Sequence, residues 1–184
     1  MMEMTRGKAP QALTVIKQDA TAKYLAGGNF DWRTAWDAII ASLSEMTDGH
    51  CSFCDDSLFP KTGEKGEVEH FRPKSSHKEL AYEWSNLFLC CGRCNMTKGV
   101  RFDEGLLKPD EPDYKFEDWF RYDLAEGILK PVKLGNPDWK RAETTIEIYG
   151  LNKEDKIKRR KYVWDEWMSG KDVHPFRFMR AADR

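Results

Sequence analysis

Cysteines give this chain its clearest chemical pattern. Cys51 and Cys54 form one C-x-x-C pair, and Cys91 and Cys94 form a second, with residues 55–90 between them. Two cysteines three positions apart in a tight turn can direct both sulfurs at one metal ion. Two such pairs complete the tetrahedral four-sulfur shell of a zinc site. One pair alone would equally suggest a redox motif, but two pairs favour zinc.

A closed shell of four thiolates leaves no position for water, so we expect this zinc to stabilise the fold rather than to catalyse. Two neighbouring residues leave alternatives open. His50 adjoins Cys51 and is a ligand by type. Cys90 is the unpaired fifth cysteine, which we interpret as a small buried apolar residue.

Polar residues suited to hydrolytic chemistry lie inside the segment between the pairs or just after it. Their types allow proton transfer, metal ligation or phosphate contact, because imidazole titrates at about pH 6.5 and carboxylate and amide oxygens suit Mg²⁺. A lone His or Asn of this kind is uninformative, but their order along the chain carries information. They are Glu67, Glu69, His70, Arg72, Lys74, Asn86, Asn95 and Lys98.

These motifs together resemble the HNH endonucleases, the ββα-metal nucleases with paired zinc knuckles. The resemblance covers about 50 residues and rests on the two C-x-x-C pairs, Glu69-His70, Asn86 and a C-x-x-C-N-x-x-K run that ends at Lys98. The last member of the motif is Asn95 rather than His, a variant that keeps an oxygen ligand for a hard cation.

The resemblance implies a role for each residue of the motif. His70 is the general base, and because a base must reach water we expect it to make few packing contacts. Asn86 fixes the His70 backbone or ring, and Glu69 and Asn95 ligate one Mg²⁺ or Mn²⁺. Glu67 is the less favoured ligand, because it lies three positions from His70 and would point to the opposite face of an extended strand.

Phosphate contacts are expected from basic residues next to the motif. Lys98 is the first candidate, followed by Arg72 and Lys74, although a Lys on a helix is often only solvated. His77 and His174 have no motif partner and are interpreted as surface residues.

The wider layout resembles the HNH subunits of Septu-type and retron-associated anti-phage defence systems. The shared features are a Gly-Lys-x-Pro-x-x-Leu start at residues 7–13 and a later stretch with Thr145, Ile146, Leu151 and Asn152. This resemblance implies a DNA or RNA substrate and a partner ATPase of the SMC or ABC type, with a retron reverse transcriptase complex as a further partner. The alternative is a non-catalytic, zinc-stabilised module that binds nucleic acid or protein.

The elements that must position these residues indicate an α+β fold, a ββα nuclease core with a zinc site between N- and C-terminal helices. Periodicity predicts helices over 10–25 and 33–47, with Asp31 as a cap, strands over 68–71 and 86–90, and one or two helical turns over 92–99. A hairpin over 116–132 and helices over 136–149 and 153–168 follow. We divide the chain into an N-terminal support (1–49), the nuclease core (50–101) and a C-terminal part (102–184), with Trp164 and Trp167 as docking or core residues.

Composition limits the class of protein. The 184 residues are 40% hydrophobic and 33% charged, with a net charge of −1, which excludes a disordered chain and gives no overall attraction to polyanions. Segments 61–101 and 153–184 carry an excess of basic residues and 102–126 an excess of acidic ones, which fits solvated charge or a surface that contacts phosphates over part of its area. The longest apolar run, 87–91, is too short to cross a membrane, and the start lacks a signal-peptide pattern, so we expect a cytoplasmic protein.

Overall fold

A computed structural model of the chain describes residues 1–58, 66–123, 125–171, 173 and 176–182, with the backbone alone for 180–182. Within these ranges the fold is α+β, as the sequence predicts. His174, Leu124 at the end of the predicted hairpin strand, and residues 59–65 of the predicted loop lie outside the described residues. No helix in the described part of the chain is long and apolar enough to span a membrane.

Two helices precede the core. Helix α1 covers Gln11–Leu25 and α2 covers Trp36–Thr47. Helix α2 buries Ile39 and Leu43 because residues four apart lie on one helical face. The predicted cap Asp31 accepts a hydrogen bond from the Arg33 amide instead, and the helix begins at Trp36 without a side-chain cap.

A ββα unit forms the centre of the molecule. Strand β1 (Gly66–His70) pairs antiparallel with β2 (Leu87–Cys91), and α3 (Gly92–Lys98) follows directly. All five residues of β2 are buried, because the strand has an apolar cluster on each side. Alternate residues of the strand enter different clusters. Leu87 and Leu89 pack with α1 and α2, whereas Phe88 and Cys90 pack with the zinc cysteines and the C-terminal part.

The C-terminal part packs on the second apolar cluster, the one that contains Phe88, Cys90 and the paired cysteines. It consists of α4 (Phe116–Trp119), the predicted hairpin of β3 (Phe120–Asp123) and β4 (Ile128–Pro131), then α5 (Lys140–Ile148), α6 (Glu154–Met168) and α7 (Arg177–Ala182). The second cluster takes residues from all three proposed segments, for example Met4, Phe88 and Tyr149. Trp164 and Trp167 are partly buried against this cluster and contact each other edge to face. The division into three segments stays a prediction.

Candidate active site and metal centre

The four paired cysteines converge on one point, as the sequence predicts. The Sγ atoms of Cys51, Cys54, Cys91 and Cys94 are buried and all lie within 4.8 Å of one another. Cys54 Sγ lies 3.7 Å from Cys91 Sγ. Four sulfurs at about 2.3 Å from a tetrahedral zinc are separated by about 3.8 Å, so this donor set fits a structural zinc.

The converging group of donors in the described residues does not include His50 or Cys90. The Nδ1 atom of His50 lies 2.8 Å from the Asp48 carbonyl oxygen, and Cys90 is fully buried within β2. The second knuckle also starts α3, because the Cys94 amide donates to Cys91 Sγ at 3.3 Å as a cap of the helix. The cysteine cluster therefore lies at the start of α3, the helix that carries Asn95 and Lys98.

His70 ends β1 and is held by the chain that returns to β2. Its Nε2 lies 2.9 Å from the Ala81 carbonyl oxygen. A carbonyl oxygen can only accept a hydrogen bond, so Nε2 carries the hydrogen and Nδ1 keeps the lone pair. Burial is the main cause that lowers the pKa of His70 to about 4, so the ring is neutral at neutral pH and able to accept a proton.

The His70 ring lies between aromatic side chains of the segment that joins α1 to α2. Trp32 stacks on it at 5.2 Å between centroids with 17° between planes, and Phe30 meets it edge to face at 5.5 Å. His70 is only 6% exposed. The expectation that His70 makes few packing contacts is therefore wrong, because this segment covers the ring. Sequence alone does not reveal this contribution, since an aromatic side chain in the core and one stacked on a histidine ring look alike in sequence.

Asn86 is buried, and its side chain forms hydrogen bonds with backbone groups of the segment that follows His70. Its Oδ1 accepts from the Arg72 amide at 2.8 Å, and its Nδ2 donates to the carbonyl oxygens of Arg72 and Leu80 at 3.0 and 3.1 Å. The expected bond to the His70 backbone or ring is thus replaced by a clamp. This clamp ties the residues after β1 to the segment that presents the Ala81 carbonyl to His70.

Lys98 and Glu69 form an ion pair inside the protein. The Lys98 side chain is 0% exposed and that of Glu69 is 3% exposed, and Lys98 Nζ also donates to the His70 carbonyl oxygen at 2.9 Å. Burial is the main cause that raises the pKa of Glu69 to about 7, with the charge of Lys98 opposing it. The structure corrects the expectation for Lys98, because an enclosed ammonium paired with a carboxylate does not reach a phosphate.

Glu67 contacts Asn95, a second residue of α3 that the motif includes. Asn95 Nδ2 donates to Glu67 Oε2 at 2.6 Å, which leaves Asn95 Oδ1 to serve as an acceptor or metal ligand. Strand β1 is regular, so Glu67 and Glu69, two positions apart, share a face. Glu67 was disfavoured as a ligand because it points to the strand face opposite His70. Glu69, the neighbour of His70, points to that same opposite face. What distinguishes the two acids is their surroundings, since Glu67 is exposed and Glu69 is buried.

Glu69, His70 and Asn95 line one cleft of about 210 Å³, together with Tyr24 and Lys74. Lys74 Nζ lies 5.1 Å from the Phe30 ring centroid, and the charge of this lysine opposes the effect of burial on the pKa of Glu69. The cleft joins a neutral imidazole, a carboxylate, an amide oxygen and a cation.

Arg72 lies apart from this cleft. Its guanidinium forms two hydrogen bonds to the Glu104 carboxylate, at 2.9 and 2.5 Å, and stacks over Phe102. A phosphate would have to displace that carboxylate. His77 contacts the Phe102 ring edge to face, at 5.8 Å between centroids.

Comparison with known proteins agrees with this geometry. The HNH endonuclease family model matches residues 51–101, the part of the chain that contains both knuckles, β1, β2 and α3. The chain is 29% identical over 161 residues to the Septu protein PtuB of Bacillus thuringiensis. The matched region covers 85% of this chain and 57% of that protein. The chain is 25% identical over 157 residues to the Septu protein PtuB of Bacillus mycoides (strain KBAB4), covering 66% of this chain and 49% of that protein.

The chain thus spans about half the length of the curated relatives it matches. The family model covers the site described above. The similarity to the Bacillus thuringiensis protein covers more of this chain than residues 51–101. Residues 51–101 thus match the HNH endonuclease family, in a chain that is similar to the Septu protein PtuB.

Proposed function

We propose that the chain is a metal-dependent endonuclease that hydrolyses phosphodiester bonds in DNA or RNA as part of an anti-phage defence system of the Septu type. The observation that carries the proposal is the neutral His70 ring, with Nδ1 as its proton acceptor, in one cleft with Glu69 and Asn95. His70 accepts a proton from the attacking water, at the usual gain of about 10²–10⁴-fold for a positioned base.

The donor set of the cleft fits one hard divalent cation. Glu69 offers carboxylate oxygens and Asn95 an amide oxygen, the ligands that Mg²⁺ and Mn²⁺ take. Glu67 positions Asn95 by accepting its amide N–H. A bound cation supplies positive charge to the phosphate and to the leaving oxygen. Lys74 is our candidate for a flanking phosphate, since this cation lines the cleft beside Glu69 and His70.

The alternative function is a zinc-stabilised module without catalysis. The ion pair of Glu69 with Lys98 favours it, because the pair satisfies the carboxylate without a metal. The two functions differ in what happens when His70 is replaced.

Cleavage assays on supercoiled plasmid and on total RNA, in Mg²⁺ and in Mn²⁺, test the proposal. We expect His70→Ala and His70→Gln to lower cleavage by about 10²–10⁴-fold, with zinc content unchanged. His77→Ala is the matched control, because His77 contacts Phe102 outside the cleft, and it should cleave like the parent protein. Near-parental cleavage by both His70 variants would favour the binding module.

A partner ATPase is part of the same proposal. The relatives found are Septu proteins, and a chain with net charge −1 gains little affinity from phosphate neutralisation. We therefore propose an SMC- or ABC-like ATPase as the partner, whereas these relatives give no support for a retron reverse transcriptase. Co-purification with the ATPase encoded beside this chain, and cleavage that increases when it is added, are the expected results. Tight, salt-resistant binding of nucleic acid by the chain alone would argue against the need for a partner.

A further inference from the structure

A buried lysine of the C-terminal part contacts the zinc cysteines. Lys156 lies in the first turns of α6 and is 5% exposed. Its Nζ lies 3.0 Å from Cys94 Sγ and 2.7 Å from the Tyr149 carbonyl oxygen. Lys156 is 62 positions from Cys94 along the chain and lies outside the residues that match the HNH model.

Charge explains why a lysine is placed there. Four thiolates around Zn²⁺ leave the centre with two negative charges, and an uncompensated charge in the interior is costly. A buried ammonium is also costly without an anion, and among the described residues no carboxylate forms an ion pair with Lys156. The two groups therefore offset each other, and the ammonium donates an N–H···S hydrogen bond to one ligand.

We propose that Lys156 is an outer-sphere residue of the zinc centre, which neutralises part of its charge and retains the metal by hydrogen bonding to Cys94. This makes α6 a functional part of the metal site. The same region also packs on the first knuckle, since the Tyr149 ring stacks on Phe53 at 3.8 Å with 13° between planes. The inference concerns the zinc centre alone and stands whether or not the chain is a nuclease.

Zinc release from the full zinc-loaded chain to a chromophoric chelator tests the proposal. Lys156→Met keeps the length of the side chain and removes charge and donor, so release should be about 10–100-fold faster, the usual effect of losing an outer-sphere partner of a metal ligand. Lys156→Gln, which keeps an N–H donor without the charge, should be intermediate. Lys158→Met on the same helix, where the side chain is 73% exposed, is the control and should release zinc at the parental rate.

The absorption spectrum of the metal centre distinguishes the proposed role of Lys156 from a purely structural one. In the Co²⁺-substituted protein, removal of a nearby positive charge raises the energy of the sulfur lone pairs, so the sulfur-to-metal absorption band should move to longer wavelength in Lys156→Met. Lys156→Arg should restore the band and slow the release. If Lys156→Met fails to fold, the Gln and Arg variants carry the same comparison. A lower unfolding midpoint with parental release rate and parental band position would overturn the proposal.

Discussion

The ion pair of Lys98 with Glu69 makes it possible to test whether Lys98 stabilises the fold or contacts substrate. Both side chains are enclosed, and Lys98 also donates to the His70 carbonyl oxygen. In Lys98→Met the aliphatic stem is kept, but Glu69 and the carbonyl lose their donor. The structure therefore predicts a loss of stability, whereas a phosphate contact on the surface would predict a loss of substrate binding alone.

The magnitude follows from the burial of the pair. Removing one partner of a buried ion pair costs about 3–5 kcal/mol, because a charge remains without compensation. In a chain of this size about 1 kcal/mol changes the melting temperature by about 2–4 °C, so a decrease of about 6–20 °C is expected. The double variant Glu69→Gln/Lys98→Met should recover much of it, because no buried charge is then left unpaired.

The loss should also depend on pH. Burial raises the pKa of Glu69 to about 7 even though the charge of Lys98 opposes the shift, and without Lys98 the carboxyl should stay protonated to still higher pH. A group whose pKa is raised in the folded state contributes stability at low pH and loses it as pH rises through the folded pKa. Lys98→Met should therefore be less destabilised at about pH 6 than at about pH 8.5.

Chemical unfolding of the zinc-loaded protein, followed by tryptophan fluorescence, measures these differences. Lys115→Met, at an exposed position before α4, is the control and should change stability by less than about 0.5 kcal/mol. If Lys98→Met unfolded like the parent protein and only weakened nucleic-acid binding, the buried pair would be refuted and the phosphate role restored.

Three further perturbations test other parts of the site. Cys91→Ser should remove zinc and prevent folding, since a structural site contributes its binding energy to the fold, and metal analysis of the parent should give close to one zinc per chain. Asn86→Ala leaves two partly buried carbonyl oxygens without their donor, so it should lower the free energy of unfolding by about 1–3 kcal/mol in denaturant titration. Trp32→Leu removes the ring stacked on His70, so it should lower kcat for cleavage and leave the zinc content close to that of the parent. A parental kcat would show that the stacking does not position His70.

Ligand spacing made the metal centre predictable from sequence. Two C-x-x-C pairs specify their own local geometry, so their convergence needed only that residues 55–90 return to the starting point. The strand and helix that follow were predictable too, because buried β2 is a continuous apolar run and α3 starts on a knuckle. Elements with strong local signals thus needed little information from the rest of the fold.

Which face of α3 packs on β1 was harder to predict, although the spacing of the residues within the two elements indicates it. Asn95 and Lys98 lie three positions apart and share one helical face, and Glu67 and Glu69 lie two apart and share one strand face. When the helix face packs on the strand face, Asn95 meets Glu67 and Lys98 meets Glu69, as the structure shows. An argument from the motif alone places Lys98 towards substrate, because the motif says nothing about which face is covered.

The remaining contributions come from far along the chain, and no local pattern announces them. Trp32 reaches His70 from the segment before α2, and Lys156 reaches Cys94 from α6. An aromatic residue near a helix and a lysine in a charged helix have ordinary roles in most proteins, so only the packing of whole elements reveals these two. Both His70 and the four-cysteine cluster therefore receive contacts from outside residues 51–101. A fragment limited to the HNH domain would expose the His70 ring and leave the charge of the thiolates without Lys156, so its stability and activity would not represent those of the chain.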